Sequence, residues 1–393
     1  MLRRTAGAVL CAMLVALAPA FCKAADLPTS EPAPVFKPAP GDPRIEAPAP
    51  VAPTPPPAPP APKPPPAPVA VPTPGGPDIA LVLPLNAPAY ARAAEAVRTG
   101  FLAAAEAAGQ SARCVVVPHS EDGVIAAFDA ARDRGAHVIV GPLVRDDLKT
   151  LAIAGGNWPT TLALNQLDDG TPLPPNTYTL ALSVESDARA LAQRALHDGA
   201  RAMAVVEGDA AIMHRLAVAF TSDWVAGGAA PPTAIVLDAS PGSLADLRKA
   251  FGRNPPDAVL LALDGERTAL VKPYIGSVPA YASGLLFERT GALTSHDIDG
   301  LRVADIPWLL TPDAPELAAL PRREFANAAL TRLYALGLDA FRVAQALAQG
   351  PPERLELDGA IGHLVLGADR QFERTPLIGV YRDGTLSVPE PTR

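Results

Sequence analysis

Six histidines, His119, His137, His197, His214, His296 and His363, are the side chains in this 393-residue sequence best suited to hold a metal or move a proton. No HxH or HxxxH spacing puts two of them on one face of a strand or helix, as a zinc site requires. His296-Asp297 is the nearest approach to a ligand pair, and it falls in a polar stretch that reads as a surface loop. Nucleophiles are equally unsupported. Gly242-Ser243 lacks the GxSxG frame of a strained elbow, and Cys114 sits inside the apolar run RCVVVP, away from any helix start that would favour a thiolate. It reads as a small buried hydrophobe. Glu185 and Asp187 are too close in sequence, at a helix start, to form a glycosidase pair, and favour the helix dipole instead. Neither GxxxxGK[ST] nor a GxGxxG after a strand is present, so no phosphate cradle and no cofactor is expected. The residues do not support an enzyme.

What remains are the carboxyl ends of strands, where open α/β sheets place ligands. The candidates are Leu85-Asn86, Gly141-Pro142, Asn165-Gln166, Glu207-Gly208 and Asp264-Gly265. Asn165 and Gln166 either offer donors and acceptors to a small-molecule ligand or cap the exposed ends of a sheet, and both readings stand. Asp305-Ile306-Pro307-Trp308 is a partner-facing or cleft-closing candidate, because Trp is enriched at interaction hot spots. For Trp308 the preferred reading is packing in the core between two lobes.

Such ends need strands to carry them. Ile79–Leu85, IALVLPL, is apolar on both faces, which requires cover on both sides and hence a parallel sheet between helices. A helix over 89–108 follows, with Ala93, Ala96, Val97, Gly100, Phe101 and Ala104 on one face and Gly109 as its stop. Strands are expected at 113–118, 137–140, 160–164 and 178–182, with helices from 120 or 121 to 134 and over 143–154. The same grammar then restarts. Helices at 185–197, 210–226, 243–251 and 266–271 alternate with strands at 202–206, 233–237, 258–263 and 279–283, each unit long enough for a right-handed crossover. Two similar halves suggest two lobes with a cleft between them. The tail breaks the rhythm, with one long helix over 324–349 and then an antiparallel pair of Val365-Leu366 with Leu377–Tyr381.

The first 77 residues are of another kind. A positive start at Arg3-Arg4, an apolar run from Ala6 to Ala18 and the break at Pro19 make a secretory signal over 1–24. Cleavage before Ala25 competes with lipidation of Cys22, where Phe21 occupies a position that prefers a small residue. Residues 25–77 carry 22 of the 47 prolines and read as a tether without helix or sheet. At about 3.1 Å per residue, ~50 residues extend on the order of 150 Å. A spacer of that length has more purpose with one end held, which favours Cys22 as a lipid anchor, the sole expected tie to a membrane. The formal charge of −8 disfavours nucleic acid or an anionic lipid surface as partner.

IALVLPL, the helix ending VRTGFLAAAEAAG, and HVIVGPL resemble the first lobe of a type I periplasmic binding protein. More narrowly, Leu162-Ala163-Leu164-Asn165-Gln166, Leu182-Ser183-x-Glu185-x-Asp187-Ala188, Asp305–Leu310 (DIPWLL), Arg332–Ala340 (RLYALGLDA) and Gly359-Ala360-Ile361-Gly362-x-Leu364 resemble outer-membrane lipoprotein activators of penicillin-binding proteins, the LppC type. The resemblance runs from about 79 to 384. It departs from the best-known members, which carry a helical-repeat domain where the proline-rich stretch stands here. The resemblance implies an α/β, type I periplasmic-binding-protein-like fold over 78–393, with two Rossmann-like lobes on parallel sheets. Lobe 1 is expected over about 78–182 and 322–350, and lobe 2 over 183–321 and 351–393. It also implies a non-catalytic periplasmic regulator, tethered to the outer membrane, that binds and activates a class A penicillin-binding protein. The alternative is a receptor for an amino acid or similar small polar ligand feeding an ABC transporter. Against that, Gly141–Arg145 shows none of the hydroxyl side chains that such receptors place after the third strand, although helix-start N–H groups bind anions unaided.

Overall fold

The computed structural model describes residues 78–167, 170–237, 241–287, 298–350 and 352–389. The leader, the tether, Cys22 and His296-Asp297 lie outside them. In the first half, β1 (Ile79–Leu83), α1 (Ala91–Ala107), β2 (Cys114–Pro118), α2 (Val124–Asp133), β3 (Val138–Val140), α3 (Arg145–Ala154), β4 (Thr160–Ala163) and β5 (Thr177–Thr179) alternate as the apolar runs predict. The five strands form one parallel sheet in the order β2-β1-β3-β4-β5.

The second half repeats that plan with α4 (Val184–His197), β6 (Met203–Glu207), α5 (Ala211–Ala226), β7 (Thr233–Val236), α6 (Pro241–Arg253), β8 (Ala258–Ala262), α7 (Gly265–Val271), β9 (Ala280–Ser283) and β10 (Arg302–Asp305). Its parallel order, β7-β6-β8-β9-β10, is the first sheet's order over again. The remainder comprises α8 (Pro307–Leu310), α9 (Ala328–Leu347), β11 (Glu356–Asp358), β12 (His363–Leu366), β13 (Phe372–Thr375), β14 (Leu377–Arg382) and β15 (Thr385–Ser387).

The tail differs from the sequence expectation. Val365-Leu366 lies in β12, which pairs with β11 and β13 in a small antiparallel sheet, whereas Leu377–Tyr381 lies in β14 and joins β10 of the second sheet. The polar Gly367–Arg370 connection therefore closes β12 onto β13. The long helix starts at Ala328 rather than 324 because the Asn327 side chain accepts the Leu330 N–H at 2.9 Å and caps it.

Successive β1 residues face opposite sides of the first sheet. Ile79, Leu81 and Leu83 pack with Val97 and Phe101 of α1 and Tyr334 and Phe341 of α9. Ala80 and Val82 pack with Val124 and Phe128 of α2 and Leu151 of α3. Helices α1 and α9 meet backbone to backbone. A Cβ on Gly100 would stand 2.0 Å from the Tyr334 carbonyl oxygen, and one on Gly337 would stand 2.2 Å from that of Val97.

The chain passes between the two cores three times. Leu180 packs in the first core and Val184 in the second; Ala304 in the second and Ile306 in the first; Phe372 in the first and Tyr381 in the second. Ile306, Trp308, Leu317, Ala360, Ile361 and Leu364 all belong to the first core. Segments 306–320 and 355–375 thus pack on the other side of the 321 and 350 boundaries drawn from sequence.

Candidate functional site

The carboxyl ends of β4 and β5, the start of α4, α5, the segment after β9 and the first turn of α9 converge on one cleft. It holds about 360 Å³ and is lined in part by Asn165, Gln166, Ser183, Arg215, Leu285 and Arg332. A second space of similar size continues it under Leu143 and Leu336, sharing Arg145 and Asn165.

Its polar groups are turned inward. Asn165 donates through Nδ2 to the Leu143 carbonyl at 3.0 Å and accepts the Gln166 N–H through Oδ1 at 2.9 Å. Of its two sequence readings, this is the capping one. The Gln166 side-chain amide makes no hydrogen bond with a described residue. Arg215 donates to Glu185 Oε1 through Nε at 3.0 Å and Nη2 at 2.6 Å. Arg145 is likewise engaged. Arg332, 3% exposed, donates from Nε and Nη2 to the two Asp305 oxygens at 2.9 and 2.6 Å, and from Nη1 to the Phe287 carbonyl at 2.8 Å. Asp305 also accepts the Ile306 N–H at 2.8 Å, so it lies behind the cleft wall as the anchor of Arg332.

Two further carboxylates are buried, Asp187 beside the first crossing and Asp339 within the first core. Asp187, fully buried, binds Arg374 and accepts the Ser283 hydroxyl at 2.5 Å, while Arg374 Nη2 also reaches the Ser183 carbonyl at 3.1 Å. Burial pushes the Asp187 carboxyl above its usual range, against the pull of Arg374 and Ser283. Asp339 accepts the Ile361 N–H at 2.8 Å, and burial raises its carboxyl too. A lone member of a buried ion pair is strongly destabilising, so the Asp187–Arg374 pair fastens the crossing before α4 to the one after β13. Sequence placed Asp187 at a helix start for the dipole; the fold buries it on a guanidinium 187 residues away.

The other expected site residues are dispersed. Gly141, at φ +124°, lies against β1, where a Cβ would meet the Val82 carbonyl oxygen at 2.2 Å. Its N–H donates to Leu162, and the Pro142 carbonyl accepts the Leu164 N–H. Both serve the joint between strands. Asn86 is exposed, its N–H donating to the His119 carbonyl at 3.0 Å. Leu85 lines a separate groove beside α1. Trp308 is 4% exposed, packs against Tyr334 and carries the Arg322 guanidinium 3.7 Å above its ring. It is a core residue, but of the first core. Asp264 caps α7 by accepting the Arg267 N–H at 2.7 Å, and Glu207 faces His214 at 3.3 Å. Cys114 is half-buried on β2, and burial pushes its thiol up to about 11. No group of three or more His, Cys, Asp or Glu side chains among the described residues is arranged to hold a metal. Among them, too, no helix is long and apolar enough to cross a membrane.

Sequence reasoning missed Arg145, Arg215, Arg332 and Arg374. The available signal was position: arginines within otherwise apolar helical or strand faces, as in RLYALGLDA.

The model of a family described as "LppC putative lipoprotein" matches residues 75–245 and 237–384. The Penicillin-binding protein activator LpoA of Dickeya chrysanthemi (strain Ech1591) is 28% identical over 309 residues, covering 65% of this chain and 44% of that protein. The chain thus spans a little under half the length of such relatives. Among solved structures, a putative branched-chain amino acid ABC transporter from Chromobacterium violaceum ATCC 12472 is 36% identical with a TM-score of 0.68, covering 77% of this chain and 99% of that one. The C-domain of LpoA from Haemophilus influenzae, described as a regulator of PBP1A, superposes with a TM-score of 0.66 at 24% identity, covering 80% and 99%. The fold is that of the type I periplasmic-binding-protein-like proteins.

Proposed function

We propose that this chain, which belongs to the LppC putative lipoprotein family, is a non-catalytic regulator that binds and activates a bifunctional class A penicillin-binding protein. The observation that carries this reading is the state of the interlobe cleft. A solute receptor must present donors that a ligand can claim, because an unmatched buried polar group costs more than it returns. Here Asn165, Arg145, Arg215 and Arg332 are all engaged by the chain itself, which leaves the Gln166 amide as the polar side chain for a guest. One amide does not hold an amino acid's carboxylate and ammonium together. A body whose cleft charges are paired within the chain acts through its outer surface.

The names of the curated relatives support the same reading. Its setting is the periplasm, with a lipid on Cys22 holding the chain at the outer membrane and the proline-rich stretch giving reach. The competing reading, a receptor for a small amino acid, draws on the description of the Chromobacterium neighbour.

Two measurements on the full chain separate them. Purified chain is passed over the organism's class A synthases while glycan polymerisation is followed, and leucine, isoleucine and valine are titrated calorimetrically. Binding with faster polymerisation and no heat from the amino acids supports the regulator. Tight amino-acid binding without synthase binding replaces it by the receptor. The mass of the mature N-terminus tests the anchor: lipid on Cys22 retains it, and an N-terminus at Ala25 removes it.

A further inference from the structure

A groove of about 600 Å³ lies between α1, the end of β1, β2 and the segment that leads into α9, on the sheet face that α1 and α9 cover. Leu85, Ala96, Val116, Phe325 and Leu330 make its apolar surface. Arg92 stands exposed at its edge and forms no ion pair with any described residue. Arg98 lies beside it, clasping Glu95 through two hydrogen bonds of 2.8 and 2.6 Å, so the groove's carboxylate is already neutralised. Arg323 is exposed beside the lining residue Phe325, its guanidinium 5.9 Å from that ring, and after the Arg98 hydrogen bond its charge adds to holding the Glu95 carboxyl below its usual range. Three guanidiniums thus stand against two carboxylates, Glu95 and the exposed Glu324, in and beside this apolar trough, a local excess of positive charge on a chain whose net charge is −8.

That contrast selects the occupant. An acidic body repels acidic partners at long range, except where a local positive patch reverses the field. An apolar floor rimmed by arginines is also the composition of an interaction hot spot: the floor takes an anchor side chain, and the guanidiniums take carboxylates in forked pairs. We propose that this groove docks an acidic, amphipathic segment of a partner protein, one or two apolar side chains entering beside Leu85 and Phe325 and flanking carboxylates meeting Arg92 and Arg323. The proposal rests on the regulator reading above and assigns the surface through which the synthase is held.

The test compares three full-length chains for affinity to the purified periplasmic region of the class A synthase, by biolayer interferometry at low and high salt. These are the unaltered protein, the groove reversal Arg92→Glu/Arg323→Glu, and the control Arg134→Glu/Arg253→Glu. Arg134, just after α2, and Arg253, at the end of α6, are exposed and are not among the residues that line the groove, and the control changes net charge by the same amount. Melting temperature checks that each chain folds. The groove pair is expected to raise Kd about tenfold or more and to flatten the salt dependence, and the control to stay within about twofold. Equal losses in both pairs, or none in the groove pair, overturn the docking assignment and leave the regulator reading intact. Absence of synthase binding by the unaltered chain overturns both. Peptidoglycan sedimentation that depends on Arg92 and Arg323 while synthase binding does not overturns the peptide occupant in favour of a glycan.

Discussion

The interlobe cleft and the α1 groove carry the same kind of side chain and use it in opposite ways. In the cleft, Arg332 spends Nε, Nη1 and Nη2 on Asp305 and a backbone carbonyl, and Arg215 is held by Glu185. In the groove, Arg92 and Arg323 are exposed and Arg98 alone is tied down. Buried guanidiniums with matched carboxylates specify a geometry; exposed ones beside an apolar floor are available to something else. The difference teaches that the same side chain is paired within the chain at the cleft and left exposed at the groove.

The sharpest way to break the comparison is at Asp305. Asp305→Ala leaves Arg332 buried without its carboxylate and is expected to cost about 3–5 kcal/mol in urea denaturation, whereas Asp305→Leu/Arg332→Met, which removes both charges, should recover most of it. A loss no larger for the single change than for the double would mean that the pair does not fasten the crossing. Gly337→Ala forces α9 off α1 and should cost about 1–3 kcal/mol, since backbone rather than a flexible side chain stands in the way. Because α1 is one wall of the groove, the same variant should weaken synthase binding more than its stability loss explains. Asn165→Ala removes two hydrogen bonds to backbone and is expected to cost about 1 kcal/mol, while Arg92→Ala stays within about 0.5 kcal/mol. Matched losses at the two positions would erase the distinction drawn between cleft and groove.

The smallest effect concerns pH. Arg98 holds the Glu95 carboxyl below its ordinary value of 4.5. Its contribution is therefore present above that value and is lost as pH falls through the lowered one. Glu95 is half-exposed, so solvent screening keeps this to a few tenths of a kcal/mol. Acid titration of Glu95→Gln should show that portion of the slope missing below about pH 4.5.

Much of the fold was legible in the apolar runs. IALVL and AVLLA announce buried strands, and the helices between them end at glycines that accept a left-handed turn, such as Gly109 and Gly199. The closing strands were legible at Val365-Leu366 and Leu377–Tyr381, but their partners were not. HLVL and LIGVYR are four and six residues long, and neither carries enough alternation to name a partner. β10 was missed because RVAD ends on a charge that reads as exposed until Arg332, 27 residues on, is seen to cover it. At the site, Asn165 and Gln166 could be picked out by position but not by role. Whether an amide faces a guest or its own backbone depends on where the Leu143 carbonyl lies.

The threefold passage between sheets has a consequence for how the molecule is made. Phe372 packs in one interior and Tyr381 in the other, so a polypeptide growing from its amino end finishes neither before the stretch 372–381 arrives. Completion of the two interiors is thus coupled to the arrival of one short stretch. A product ending before Phe372 lacks part of both interiors rather than of one.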